Sequence, residues 1–475
     1  MRRSQHLALA VLVAAGGLAA LKADPPAEAK KEAPAGPESL ARRAWAVMDV
    51  VRDKHLLPPA RSDMTLTAAK ALLTAAKATV PDDLAAKAAD ATTEARLAAL
   101  FRDLWPAQAD PGLEAAALAG FLKAVPGGAG LQTDAEVKLS EQLRDNRYVG
   151  IGIQLAANEK ERYPQINNPF RRGAARNAGA KPGDLMVEID GRDMKGVLDV
   201  GKVVGLLRGE AGTTVTVVVR QPGAAETRTL KMVRAVIPID SVYGYRRSGE
   251  DAWDYQVDKA AGIAYVWVSS IKSSTLHELR QVERRLRADG TKAVVLDLRS
   301  SMGEGNLHDV ALVADGLLDR GLMWTVRGRG DDVKEYRADR EAVFRGWPLV
   351  AVVVDLIDNG QAACLAALRD NDRVVLVGEP TRNDGIVRSR VPLPDGAGAV
   401  TLMTGRVERA GKGRWPLRPD HAVGLDKWQR DAVRKWIFDK QLTELPAGTD
   451  DRPPADPQLD RAVELLRQTL KDGGK

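Results

Sequence analysis

The residues with the clearest chemical potential lie in "VVVDLIDNGQAACLAALRD", which ends at Asp370. A continuous apolar run, a tight turn and a helix of small residues follow one another, the arrangement in which many α/β hydrolytic enzymes display a nucleophile. The turn itself supplies only Asp358, Asn359, Gly360 and Gln361. There is no Ser, Thr or Cys from Val350 through Ala363, and no Lys from Glu335 through Gly411. A hydroxyl nucleophile needs an adjacent base, and this segment offers neither partner. Ser300 and Ser301, with His308 as base, form a substitute set, although capping of the next helix is the simpler use of two serines at a strand end. Cys364, the single cysteine, falls inside the small-residue helix and reads as a buried hydrophobe. Asp358, Asp384 and Glu304 would hold a divalent cation only if the fold brought them together, and the five histidines have no zinc-ligand spacing. No metal or other cofactor is therefore expected.

A second run mixes glycines with apolar residues. "YVGIGI", the run Tyr148, Val149, Gly150, Ile151, Gly152 and Ile153, combines glycines with apolar neighbours. Glycine lets backbone N–H groups approach a ligand closely, and successive N–H groups make an anion-binding concavity.

These residues need elements to position them. From 39 to 143 the pattern is helical and Ala-rich: in "SLARRAWAVMDVVRDKHLL", Leu40, Trp45, Met48 and Val51 share a face, with Ser39 as the expected cap. From 144 to 236 the reading is a small β-rich domain with one or two helices. From 237 to 425 apolar strands alternate with helices, "GIAYVWVSSI", "KAVVLDLRS", "PLVAVVVD" and "RVVLVGEPT" being the strands. This order predicts a mostly parallel sheet covered on both faces. Residues 426–475 return to helix, and the helices at either end of the chain are the expected surfaces of a homodimer.

The 475 residues carry 44% hydrophobic and 28% charged residues and a net charge of +6. That composition fits a multidomain globular protein, and the basic residues are dispersed rather than interleaved with aromatics, which argues against nucleic-acid binding. Arg2 and Arg3, an apolar run and small residues up to Ala23 have the layout of a secretory signal over 1–23, followed by a Pro- and charge-rich linker over 24–38. The expected location is secreted or periplasmic, with membrane tethering if the signal stays uncleaved. A single cysteine permits no intrachain disulfide.

"YVGIGIQL", "GAARNAGAKPGDLMVEIDGRDM" and "LLRGEAGTTVTVVVRQPG", in that order, resemble a PDZ domain of the bacterial protease-associated type. The order of helical region, PDZ domain and α/β domain, with "VVLDLRSSMGEG", "PLVAVVVD", "AALRDNDRVVLVGEPT" and "RPDHAV", resembles the carboxyl-terminal processing, or tail-specific, proteases. The resemblance implies a crotonase/ClpP-like α/β domain over 237–425 and a secreted serine peptidase with a Ser/Lys dyad. It also implies that residues 148–153 hold a partner's C-terminal carboxylate while its last side chain enters a pocket beside Ile151 and Ile153. The family's serine falls on Asn359, its lysine on Asp384 and the orienting glutamine on Arg388. In the oxyanion loop Gly303 is kept, but Glu304 stands where a second glycine is usual. The expectation is a catalytically degenerate homologue that binds C-terminal peptides of exported proteins, alone or with an active relative. The alternative is an active endopeptidase with a non-standard nucleophile.

Overall fold

Four valine-rich stretches, Ile263–Val268, Ala293–Asp297, Leu349–Val353 and Val375–Gly378, lie side by side as parallel strands in that order. The computed structural model describes residues 36–110, 112–144, 149–170, 172–237, 240–248, 252–299, 306–354, 357–394, 398–411, 415–440 and 453–473. The helices Thr275–Ala288, Leu307–Leu317 and Asn359–Asp370 lie in the three connections between these strands. Such crossovers cover a parallel sheet and leave its strands apolar on both sides. One face packs on the crossover helices through Val266, Leu296, Ala351 and Leu376. The other packs, through Tyr265, Val295, Val352 and Val377, on Lys427–Asp439 and Pro457–Lys471. The C-terminal helices therefore complete this domain's core.

A second, antiparallel sheet was not foreseen from the sequence. Gly321–Arg327, Val333–Ala338, Ile386–Pro392 and Ala399–Arg409 form it, with Gly130–Gln132 added at one side. Helix Asn359–Asp370 packs against both sheets, and every residue from Gln361 to Leu368 is buried. Its four alanines allow close approach on all sides.

The N-terminal region contains Pro37–Lys54, Arg61–Ala75, Leu84–Asp90, Glu94–Leu104, Leu113–Ala124 and Asp134–Arg144. Two details differ from expectation. Ser39 is not the cap: the helix starts at Pro37, whose fixed φ suits the first turn, and the Ser39 hydroxyl donates to Glu114 at 2.9 Å. The region is not wholly helical either, since Gly130–Gln132 pairs with Ala399, Val400 and Thr401. Its core is closed by Leu393, Val400 and Leu402 from the second sheet.

The middle domain is a sheet of Ile153–Asn158, Tyr163–Pro169, Leu185–Ile189, Thr214–Arg220 and Arg228–Val233, in that spatial order, with Arg192–Asp193 beside Leu185–Ile189. Helices Ala174–Asn177 and Val200–Leu207 complete it. Its core draws only on residues 151–232 and their immediate neighbours. Among the described residues no helix is long and apolar enough to cross a membrane.

Candidate active site and peptide-binding loop

The C-terminal ends of the parallel strands converge where ligands of open α/β sheets bind. Asp358 caps helix Asn359–Asp370 there, its carboxylate accepting from the Gln361 N–H at 2.7 Å. Asn359 is thereby set at the first helical position, half-buried. The loop after Val375–Gly378 comes back against it. Thr381 pins this loop: its N–H donates to the Leu417 carbonyl and its Oγ1 accepts from the Leu417 N–H, at 3.0 and 3.2 Å.

The side chain that meets Asn359 from this loop is Asn383, whose Nδ2 donates to Asn359 Oδ1 at 2.8 Å and to the Ile357 carbonyl at 3.1 Å. Asp384, the next residue, is exposed and accepts from the Ile386 N–H at 3.0 Å. Arg388 is also exposed, and its Nη2 donates to the Gly127 carbonyl at 2.8 Å, tying the second sheet to the helical region. The structure thus brings Asn359 and Asn383 together and turns Asp384 and Arg388 to other work. Gly303, Glu304, Ser300 and Ser301 lie outside the described residues. His308 is exposed on Leu307–Leu317.

Two further residues escaped the sequence reading. Gln361 is fully buried, and its Nε2 donates to the Val268 carbonyl at 3.0 Å, joining the helix start to the end of a strand two places away. Lys272 follows that same strand, and burial pulls its ammonium pKa down against the opposing fields of Glu278 and Asp240. The signal available for Gln361 was its place in the first turn of an otherwise apolar helix. Cys364 is buried, and desolvation, with Asp358 adding to it, pushes its thiol up to about 12. Among the described residues no group of three or more His, Cys, Asp or Glu side chains is placed to hold a metal.

In the middle domain, Val149–Gly150 pairs with Ala235–Val236. Gly152 has φ of +73°, and a Cβ there would stand 2.6 Å from Gly173 Cα, so both glycines are needed for the crossing. The Ile151 and Gly152 carbonyls accept from the Ala175 and Phe170 N–H groups, each at 2.8 Å. The N–H groups of Ile151 and Gly152 meet no acceptor among the described residues. Ile151 is buried and Ile153 half-buried. Ile153–Asn158 is the edge strand of its sheet, and Val200–Leu207 packs near it. Arg234 holds that helix by its C-terminus, donating to the Leu206 and Leu207 carbonyls at 3.2 and 3.0 Å. Tyr148 lies outside the described residues.

Comparison with known proteins agrees with this architecture. The peptidase family S41 model matches residues 262–420, and a PDZ domain model matches 166–221. The chain is 33% identical over 240 residues to a chloroplastic C-terminal processing peptidase of Tetradesmus obliquus, an alignment covering 50% of this chain and 51% of that protein. It is 27% identical over 264 residues to a carboxyl-terminal-processing protease of Picosynechococcus, covering 53% and 58%. With the carboxy-terminal processing protease CtpA of Bacillus subtilis it shares 27% identity over 251 residues, covering 53% and 50%. The chain thus spans about half the length of the curated relatives it matches. A solved photosystem II D1 C-terminal processing protease aligns over 77% of this chain and 94% of its own, at 22% identity and a TM-score of 0.38. The chain thus carries a PDZ domain ahead of a peptidase family S41 domain and is homologous to carboxyl-terminal processing proteases.

Proposed function

We propose that this chain is a proteolytically inactive member of its family that binds the C-terminal peptides of exported proteins as an adaptor or scaffold. The observation that carries the reading is the amide-to-amide contact between Asn359 and Asn383. An amide nitrogen has its lone pair in resonance and is no nucleophile, and neither residue is a base able to activate a hydroxyl. Lys272, which follows Ile263–Val268, has Glu278 and Asp240 as its charged neighbours.

Peptide capture is supported by the free N–H groups of Ile151 and Gly152, the apolar Ile151 and Ile153 beside them, and the open edge of Ile153–Asn158. An extended C-terminus would add a strand to that edge and place its carboxylate on the two N–H groups. The leader-like residues 1–23 support export, and the helices at each end of the chain are the surfaces proposed for pairing with a second copy or an active relative.

Two measurements test this. Purified protein should hydrolyse no β-casein and take up no fluorophosphonate probe; labelling that disappears in Ser300→Ala or Ser301→Ala would establish the active alternative instead. Short peptides with a free C-terminus should bind more tightly than their amidated forms. Equal binding of the two, or binding of neither, removes the carboxylate-capture role of residues 150–153.

A further inference from the structure

His55 is fully buried, and both nitrogens of its ring are committed. It caps the end of Pro37–Lys54, its own N–H donating to the Val51 carbonyl at 2.9 Å. Nδ1 meets the Leu57 N–H at 3.1 Å, and Nε2 meets the Pro126 carbonyl at 2.8 Å. A backbone N–H can only donate and a carbonyl can only accept. Nδ1 is therefore bare and Nε2 carries the hydrogen, so the two partners fix one neutral tautomer. A proton added at Nδ1 would turn an N–H toward the Leu57 N–H, leaving two donors face to face with the ring out of reach of water. A half-turn of the ring would set carbon atoms against both partners.

The ring stands where the helical region is tied to the second sheet. The Leu56 N–H, beside it in the chain, donates to the Met403 carbonyl at 2.9 Å. Arg388, opposite Met403 in the sheet, donates to the carbonyl of Gly127, the residue after Pro126. Gly127 itself lies against Met403, where a Cβ would stand 3.3 Å from the sulfur. Arg329 reaches over from the turn after Gly321–Arg327 to the Arg52 carbonyl at 2.6 Å. His55 thus joins the two segments, 55–57 and 126–127, that these ties hold in place. A positive ring would find no counter-charge here. The elements that meet around it carry Arg52, Lys54, Lys123, Arg329, Arg388 and Arg406. Of their carboxylates, Asp53 pairs with Lys54 at 2.9 Å and Glu408 with Arg327 at 2.7 Å, while Asp331 and Asp332 are exposed in the turn beside Arg329. His55 makes no ion pair among the described residues.

We infer that His55 is a pH-sensitive latch: uncharged, it holds the helical region onto the second sheet, and its protonation releases the junction at 55–57 and 126–127. An imidazole in water takes up its proton near pH 6.5, to within about a unit. Only the opened junction lets water meet the second N–H, so the charged ring belongs to the opened form. The latch is complete above about pH 6.5 and weakens as the pH falls below it, with one proton bound for each opening. The inference does not depend on whether the chain cuts the peptides it binds.

The test is hydrogen exchange of segments 55–57 and 130–132 in the full chain from pH 7.5 to 5.0, corrected for the exchange rate of a free peptide at each pH. Opening should rise about tenfold for each pH unit below about 6.5, the slope of a single proton. In His55→Gln, which keeps a donor and an acceptor but takes no charge, opening should stay within about twofold over the same range. Should that variant fail to fold, nitrogen NMR of the unaltered chain decides: one ring should carry its hydrogen on Nε2 alone and should charge in step with the opening of the two segments. Opening that is flat with pH in the unaltered chain, or that climbs equally in His55→Gln, overturns the latch. So does a chain in which all five imidazoles charge while the two segments stay closed.

Discussion

Asn359 does not itself hold the helix start: the cap is made by Asp358, and Gln361 ties the first turn to the Val268 carbonyl. That the turn itself holds no serine, threonine or cysteine was legible in the sequence. The role of Asn383 was not legible. It depends on how Thr381 and Leu417 pin a loop, and on Asp384 bonding within that loop. This has a practical result: Asn359→Ser with Asp384→Lys should hydrolyse no β-casein, because Asn383, not residue 384, occupies the contact. Appearance of activity in that double variant would show that the loop rearranges. At the same scale, Cys364, with its thiol pushed up to about 12 by burial, should be silent to a disulfide reagent at pH 8 in the native chain and react fully once the chain is unfolded.

Elements were read from the sequence in proportion to how much of their pattern is local. The parallel strands are continuous apolar runs because both their faces are covered, and each was recognisable. The antiparallel sheet was missed because its strands are partly exposed and highly charged: Val333–Ala338 contains Lys334, Glu335 and Arg337. Those charges suit an edge that must not pair with another chain. Gly378 shows how tightly neighbouring strands meet. Its φ is +133°, and a Cβ would collide with the Val353 carbonyl, so Gly378→Ala should lower stability by several kcal/mol, visible as a shifted urea midpoint. Glu379, the next residue, links this strand to Lys427–Asp439. Hydrogen bonding to Arg430 holds its carboxyl below the ordinary carboxylate range. A lowered folded pKa gives stability that is present above the unfolded value, about 4.3, and lost as pH falls through the folded one. Glu379→Gln should therefore destabilise the protein at pH 7, and the difference should shrink as the pH falls below the unfolded value, measured by urea unfolding across that range.

At the scale of the whole molecule, boundaries drawn along the sequence and boundaries of packing do not coincide. Residues 426–475 read as a helical segment of their own, yet Pro457–Lys471 covers one face of the parallel sheet. Arg299 ties it there. This arginine is buried between Asp297 and Asp456, at 2.7 and 2.6 Å, with the Gln458 side chain at 3.1 Å. Removing one partner of a buried ion pair strands the other charge, so Asp456→Ala should cost about 3–5 kcal/mol in chemical denaturation. The sequence could not reveal this because the contact spans 157 positions and involves residue types that usually sit at the surface.

The same closure has a consequence for the order in which the molecule is made. On a ribosome the helical region emerges first but lacks Leu393, Val400 and Leu402, and Arg299 emerges long before Asp456. The PDZ domain has the shorter complete stretch, its core lying within residues 151–232, whereas the core of the α/β domain runs from Val242 to Leu466. It should be the first unit to fold while the segments on both sides wait, and an isolated 145–240 fragment should unfold cooperatively whereas 36–144 should not. A partner that captures the nascent chain would then have most effect on that single domain of fewer than a hundred residues.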